Sequence, residues 1–168
     1  MQDVHFKSGN KEWETPDSFF QPYAKEFNIK LDVCATRENA KCKAFYDKKT
    51  NGLHASWAIA NEIGGGKSAC WMNPPYGRGI EKWVKKAYDE ALKGVTTIAL
   101  LPARTDTSWF HNYIYKKHEV RFLKGRIKFV DASSSAPFPS MIVIFKKRKQ
   151  KNFRFFNNYG ISIWKKLK

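Results

Sequence analysis

Ala69-Cys70-Trp71-Met72-Asn73-Pro74-Pro75-Tyr76-Gly77-Arg78-Gly79 is the stretch from which the fold can be read. An apolar run enters an asparagine, two prolines and a tyrosine, then a glycine-bearing turn. Ser68 to Met72 has the length and composition of a buried strand. Each proline fixes φ and lacks a backbone N–H, so the strand ends there. The first proline also drives Asn73 into extended backbone. The result is a rigid corner holding one amide side chain and one aromatic ring in a set relation. Such a corner suits a planar, amine-bearing group. The Tyr76 ring stacks on it, while the Asn73 side-chain oxygen and the Pro74 carbonyl accept its N–H bonds. The same four residues also read as a plain proline turn with a packed tyrosine.

Working outward, helical and strand patterns alternate, which predicts an α/β fold. Downstream, Gly79 to Lys93 is an amphipathic helix with Ile80, Trp83, Val84, Ala87, Ala91 and Leu92 apolar and Gly94 as its stop. Val95 to Leu101 is almost uniformly apolar, as in a central parallel strand. A helix over Thr107 to Lys117 follows, then strands over Val120 to Leu123, Arg126 to Val130 and Met141 to Phe145. The Ser- and Pro-rich loop Asp131 to Ser140 joins the last two. Upstream, Asp17 to Phe27 reads as a helix, with Pro22 as an alternative start, and Ile29 to Cys34 as a strand. Arg37 to Tyr46 is ambiguous, and Gly52 to Trp57 reads as a short helix or loop.

The chain has 168 residues, enough for one domain with a real core. Its net charge of +16 favours a polyanionic partner, nucleic acid first. From Lys146 to Lys168 there are nine basic residues and no acidic one, interleaved with Phe153, Phe155, Phe156, Tyr159 and Trp164. That mixture suits phosphate contacts with base stacking, and equally an added strand pair with a solvated basic face. We therefore divide the chain into a domain over residues 1–149 and a basic aromatic extension over 150–168. Cys34, Cys42 and Cys70 form no CxxC pair and no even framework, so neither a zinc site nor a disulfide set is expected. Neither a signal peptide nor a membrane span is read, and the expected compartment is the reduced cytoplasm. Gly64-Gly65-Gly66-Lys67-Ser68 imitates the end of a phosphate-binding loop, but the required earlier glycine is Asn61 and a strand, not a helix, follows.

In an open parallel sheet, ligands bind beyond the carboxyl ends of strands near a topological switch point. Asp32 and Asn73 both end predicted strands, so both face such a cleft. At this point the chain resembles the phage-type DNA N6-adenine methyltransferases, which use S-adenosylmethionine. The matching elements stand in order: Trp13-Glu14-Thr15-Pro16, Asp32-Val33-Cys34-Ala35, Asn39-Ala40-Lys41-Cys42 with Tyr46, Gly52-Leu53 with Trp57, and Asn73-Pro74-Pro75-Tyr76. They continue through Leu101-Pro102-Ala103-Arg104-Thr105-Asp106-Thr107, Gly125-Arg126-Ile127-Lys128-Phe129 and Pro137-Phe138-Pro139-Ser140, spanning roughly residues 13–146. Most amino-methyltransferases carry a glycine-rich loop after the first strand. Here that place reads Asp32-Val33-Cys34-Ala35-Thr36, a departure that the phage-type family shares.

The resemblance implies a Rossmann-like methyltransferase fold, with a mostly parallel central sheet, an antiparallel strand near the C-terminal end and helices on both faces. It implies methyl transfer to adenine N6 in DNA, with base flipping. The implied catalytic residues are Asn73, Pro74, Pro75 and Tyr76. Those facing S-adenosylmethionine are Thr15, Pro16, Asp32, Cys34, Ala35, Leu53 and Asn73. Arg78, Arg104, Asp106, Arg126, Lys147 and Arg148 are the expected DNA contacts, and no metal is required. For Asp32 the alternative is a strand-end cap, and for Arg104 and Asp106 a mutual pair. His54 and His111 read as ordinary surface residues. Partners are duplex DNA and, as monomer or homodimer, no membrane; a phage-encoded chain would act in the cytoplasm of a bacterial host. Alternative acceptors are cytosine N4, RNA guanine N2 or a protein glutamine, and a further alternative is a non-catalytic basic DNA-binding accessory protein.

Overall fold

A computed structural model describes residues 13–147 and, as backbone only, 154–156 and 162–164. Its centre is a six-stranded sheet built from β1 (Ile29–Asp32), β2 (Ala44–Phe45), β3 (Ala69–Met72), β4 (Thr96–Pro102), β5 (Glu119–Phe122) and β6 (Ser140–Phe145). The strand order is β2-β1-β3-β4-β6-β5. β2, β1, β3 and β4 run parallel, and β6 inserts antiparallel between β4 and β5. This is the expected mostly parallel sheet with one antiparallel strand near its C-terminal end.

Alternation along the central strands assigns each residue to a face. Cys70, Met72, Ala99, Leu101, Met141, Val143 and Phe145 share one core with α2 (Ile59–Ile63), α3 (Ile80–Leu92) and α4 (Ser108–Tyr113). Ala69, Trp71, Ile98, Leu100, Ile142 and Ile144 face the other way, against Phe20 of α1 (Asp17–Phe27) and against Ile127, Phe129 and Ala136 of the long loop. Both faces of β3, β4 and β6 are therefore buried, which is why these segments read as unbroken apolar runs.

α1 runs through Pro22, which is exposed, rather than starting there. A mid-helix proline removes one backbone bond, and here the freed carbonyl belongs to the exposed Ser18. Asn28, in the left-handed region at φ 50°, closes the helix. In α3, Ile80, Val84, Ala87 and Ala91 recur at helical spacing and are buried. The buried Glu90 carboxylate is held by Lys86 at 2.9 Å and Lys93 at 3.0 Å, and these cations keep its pKa below the usual range despite burial.

Two expectations are corrected. Arg126 to Val130 is not a strand but extended loop lying over a sheet face. Ile127 and Phe129 are buried there, which produces the period of two, yet Val130 N–H donates to Glu14 and Ala136 N–H to the Ile127 carbonyl rather than to a ladder. α4 ends at Tyr113, well before Lys117, with Ile114 as its C-cap at φ −119° and Lys116 beyond it in the left-handed region at φ 59°. Gly52 to Trp57 forms turns, the loop alternative of its reading, and α2, a helix not expected from the sequence, follows it.

Arg154–Phe156 (β7) and Ser162–Trp164 (β8) form an antiparallel pair, the strand-pair arrangement weighed for the C-terminal extension. Arg148 lies outside the described residues.

Candidate active site

Three segments meet at the carboxyl ends of β1 and β3, and hydrogen bonds tie them together. The Asn73 side chain is the junction. Its Nδ2 donates to the Trp13 carbonyl and to Thr15 Oγ1 at 3.1 Å. A carbonyl only accepts, so the nitrogen end of the amide is compelled to face Trp13. Oδ1 is left buried with no hydrogen-bond partner among the described residues. The backbone N–H of Asn73 opposes the rise of the Cys34 thiol's pKa. Thr15 itself is buried.

The second segment is the loop after β1. Asp32 is 3% exposed, and its two carboxylate oxygens accept the Cys34 N–H at 3.3 Å and the Lys41 N–H at 3.0 Å. Burial raises its pKa to about 6, with those amides pulling the other way. The loop is cinched further by the Ala35 N–H to the Tyr46 carbonyl and the Thr36 N–H to Asn39 Oδ1. Asp32 thus has the strand-end cap position weighed above, and it shapes the backbone of the loop after β1.

Lys41 joins this loop to the first segment. Its ammonium lies 3.1 Å from Glu14 and 2.9 Å from Asp17, and these carboxylates hold its pKa up against desolvation. Leu53 is half-buried beside Gly52, whose backbone lies against Val33 so closely that a Cβ would sit 2.0 Å from the Val33 oxygen. Trp57 Nε1 donates to the Gly52 carbonyl at 2.7 Å and pins that turn.

The corner's ring belongs to an aromatic cluster. Tyr76 meets Phe138 at 5.5 Å and Phe129 at 6.4 Å, both edge-on, and Trp13 meets Phe129 at 5.2 Å and Phe138 at 5.5 Å. The Tyr76 hydroxyl donates to the Leu100 carbonyl at 3.3 Å. Burial raises its pKa, so the phenol stays protonated and is not a base. Burial likewise raises the Cys34 thiol, which argues against a thiolate nucleophile. Among the described residues no group of His, Cys, Asp and Glu could hold a metal.

Thr15, Pro16, Asp32, Cys34, Asn73 and Tyr76 lie together at one end of the sheet. Arg104 and Asp106 are exposed in the loop after β4, at the same end, and no ion pair joins them among the described residues. Arg78 is exposed just past the corner, and Lys147 is exposed after β6, at the opposite end from the corner because β6 runs antiparallel. Sequence reasoning missed the Trp13 carbonyl, Lys41, Phe129 and Phe138. Each lies inside a quoted motif, but the motif says which residues recur, not which backbone atom or ring edge is used.

A family model described as DNA N-6-adenine-methyltransferase (Dam) matches residues 4–162. A DNA N-6-adenine-methyltransferase of Haemophilus phage HP1 (strain HP1c1) is 30% identical over 150 residues, covering 84% of this chain and 82% of that protein. A protein of the same description from Escherichia phage T1 is 33% identical over 99 residues, covering 58% of this chain and 38% of that protein.

Proposed function

We propose for this chain, which belongs to the DNA N-6-adenine-methyltransferase family, the transfer of a methyl group from S-adenosylmethionine to N6 of a flipped adenine in DNA. The observation that supports it most is the Asn73 amide. Its nitrogen is committed to Trp13 and Thr15, which leaves Oδ1 as a buried acceptor without a donor. A buried acceptor left unpaired costs about 1–3 kcal/mol, a cost that an amine donor would remove.

The adenine amino group has two protons and a lone pair delocalised into the ring. Asn73 Oδ1 and the Pro74 carbonyl accept hydrogen bonds from both N–H groups and localise electron density on nitrogen. They also stabilise the positive charge that develops there, the counterpart of an oxyanion hole. One of the two protons, made acidic once the nitrogen is methylated, leaves to solvent. Tyr76 stacks on the base and attracts the cationic centre through its π face. Adenine inside a duplex cannot reach this corner, so the nucleotide is extruded.

The residues present fit S-adenosylmethionine in their chemistry. Thr15 and Pro16 border its methionine part, and Cys34, Ala35 and Leu53 offer half-buried, mostly apolar surface to its nucleoside. Asp32 shapes the loop that carries Cys34 and Ala35. When bound, the cofactor supplies an electrophilic methyl group on a sulfonium. Arg78, Arg104 and Asp106 face the DNA at the rim, and Lys147, Arg148 and the C-terminal extension add positive charge. The phage relatives support action in a bacterial host's cytoplasm, and among the described residues no helix is long and apolar enough to cross a membrane.

The test is product identity. The chain is incubated with duplex DNA and isotopically labelled S-adenosylmethionine, and the DNA is digested for nucleoside mass spectrometry. N6-methyladenine is expected; N4-methylcytosine, or no labelled nucleoside at all, would overturn the reading.

A further inference from the structure

One groove of about 330 Å³ begins at Pro16, the residue after the Thr15 that holds Asn73. Its apolar floor is Phe19 and Ile127, and its rim carries Lys124, Arg126 and Lys128. Ile127 is buried while the three cations are exposed, so the loop presents its charges outward over a fixed apolar footing. The footing is tied on both sides: Leu123 N–H donates to the Ser140 carbonyl, Val130 N–H to the Glu14 carbonyl and Ala136 N–H to the Ile127 carbonyl.

The charge here is uncompensated. No ion pair among the described residues involves Lys124, Arg126 or Lys128. The two acids nearest in sequence to Pro16, Glu14 and Asp17, are both taken up by Lys41. Asp131, the acid of the same loop, does not line the groove. The first turn of α1 also opens here, and Pro16 at its N-cap supplies no side-chain acceptor for the free amides.

We infer that this groove clamps the phosphodiester backbone of the DNA strand beside the extruded adenine, with Lys124, Arg126 and Lys128 as the phosphate contacts. Long cations around a groove, next to uncapped helix amides, match a run of phosphates, and the apolar floor suits the sugar between them. The inference rests on the proposed reaction with DNA. It adds a positioning surface: the strand is held at a fixed offset from the Asn73 corner.

The test compares two triple variants of equal charge change. Lys124→Gln/Arg126→Gln/Lys128→Gln removes the groove cations, and Lys30→Gln/Lys67→Gln/Lys82→Gln removes exposed cations outside it. Binding of a fluorescent adenine-containing duplex is titrated over a series of salt concentrations, and S-adenosylhomocysteine binding is measured by calorimetry. The groove variant is expected to lose roughly tenfold or more in DNA affinity and to shallow the salt slope by about 2–3, at about 0.9 per phosphate contact. The control should change DNA affinity little, and both variants should bind S-adenosylhomocysteine as the parent does. Equal losses in the two variants overturn the groove while leaving the proposed reaction standing. A parent chain that binds no duplex DNA overturns both.

Discussion

Thr15 Oγ1 lies 3.1 Å from Asn73 Nδ2, a bond between residues 58 positions apart. Together with the Trp13 carbonyl it decides which end of the Asn73 amide is occupied and which is left open. Thr15→Val keeps the shape and removes the acceptor. We expect methyl transfer to fall by roughly one to two powers of ten, with stability lowered by about 1 kcal/mol and DNA affinity retained. Thr15→Ser should restore most of the rate. Steady-state methylation assays with a melting curve check both, and a fully active Thr15→Val would remove Thr15 from the account.

The buried Asp32 carboxyl gives a pH dependence with a definite sign. Its folded pKa is about 6 against an ordinary 3.8, so the protonated form favours the fold. That contribution is complete below about pH 3.8 and is lost as pH rises through about 6. The stability of the parent relative to Asp32→Asn should therefore decline across this window, by up to about 3 kcal/mol, and then level off. Urea unfolding of both proteins over a pH series measures it. Parallel curves would mean that the carboxyl is not perturbed.

Gly52 separates a packing glycine from a permissive one. An added Cβ would meet the Val33 backbone oxygen at 2.0 Å, whereas at Gly79 it would meet nothing within 4 Å. Gly52→Ala should cost at least about 2 kcal/mol and weaken cofactor binding, because Val33 lies one residue before Cys34. Gly79→Ala should change stability by less than about 1 kcal/mol. Calorimetric melts of the two variants decide.

Tyr76 tests stacking against hydrogen bonding. Tyr76→Phe loses only the 3.3 Å bond to Leu100 and should cost about 1 kcal/mol in stability with the rate close to the parent's. Tyr76→Ala removes the ring and should lower methylation far more, by roughly tenfold or beyond. Equal rates for the two would show that the ring does not carry the base.

Much of this was legible in the chain. β3, β4 and β6 are buried on both faces and α1 and α3 along one stripe, so composition and periodicity point the same way. The Asn73-Pro74-Pro75-Tyr76 corner was legible because proline restricts backbone whatever surrounds it. Ile127 and Phe129 misled, since alternation records burial on one side and not ladder bonds. α2 left no signal, because Ile59 and Ile63 are exposed and Ala58 at its N-cap supplies no acceptor. The pairing of Asn73 with the Trp13 carbonyl could not be read at all: a backbone oxygen has no letter of its own, and only the tertiary fold brings it across sixty residues.

The most direct measurement is single-turnover methyl transfer by Asn73→Ala, with labelled S-adenosylmethionine and adenine-containing duplex, alongside duplex and S-adenosylhomocysteine affinities. If the open Oδ1 receives the adenine amine, the rate falls by about two to three powers of ten while both affinities stay within a few-fold of the parent. A variant that transfers methyl groups at the parent rate would contradict the assignment of Asn73.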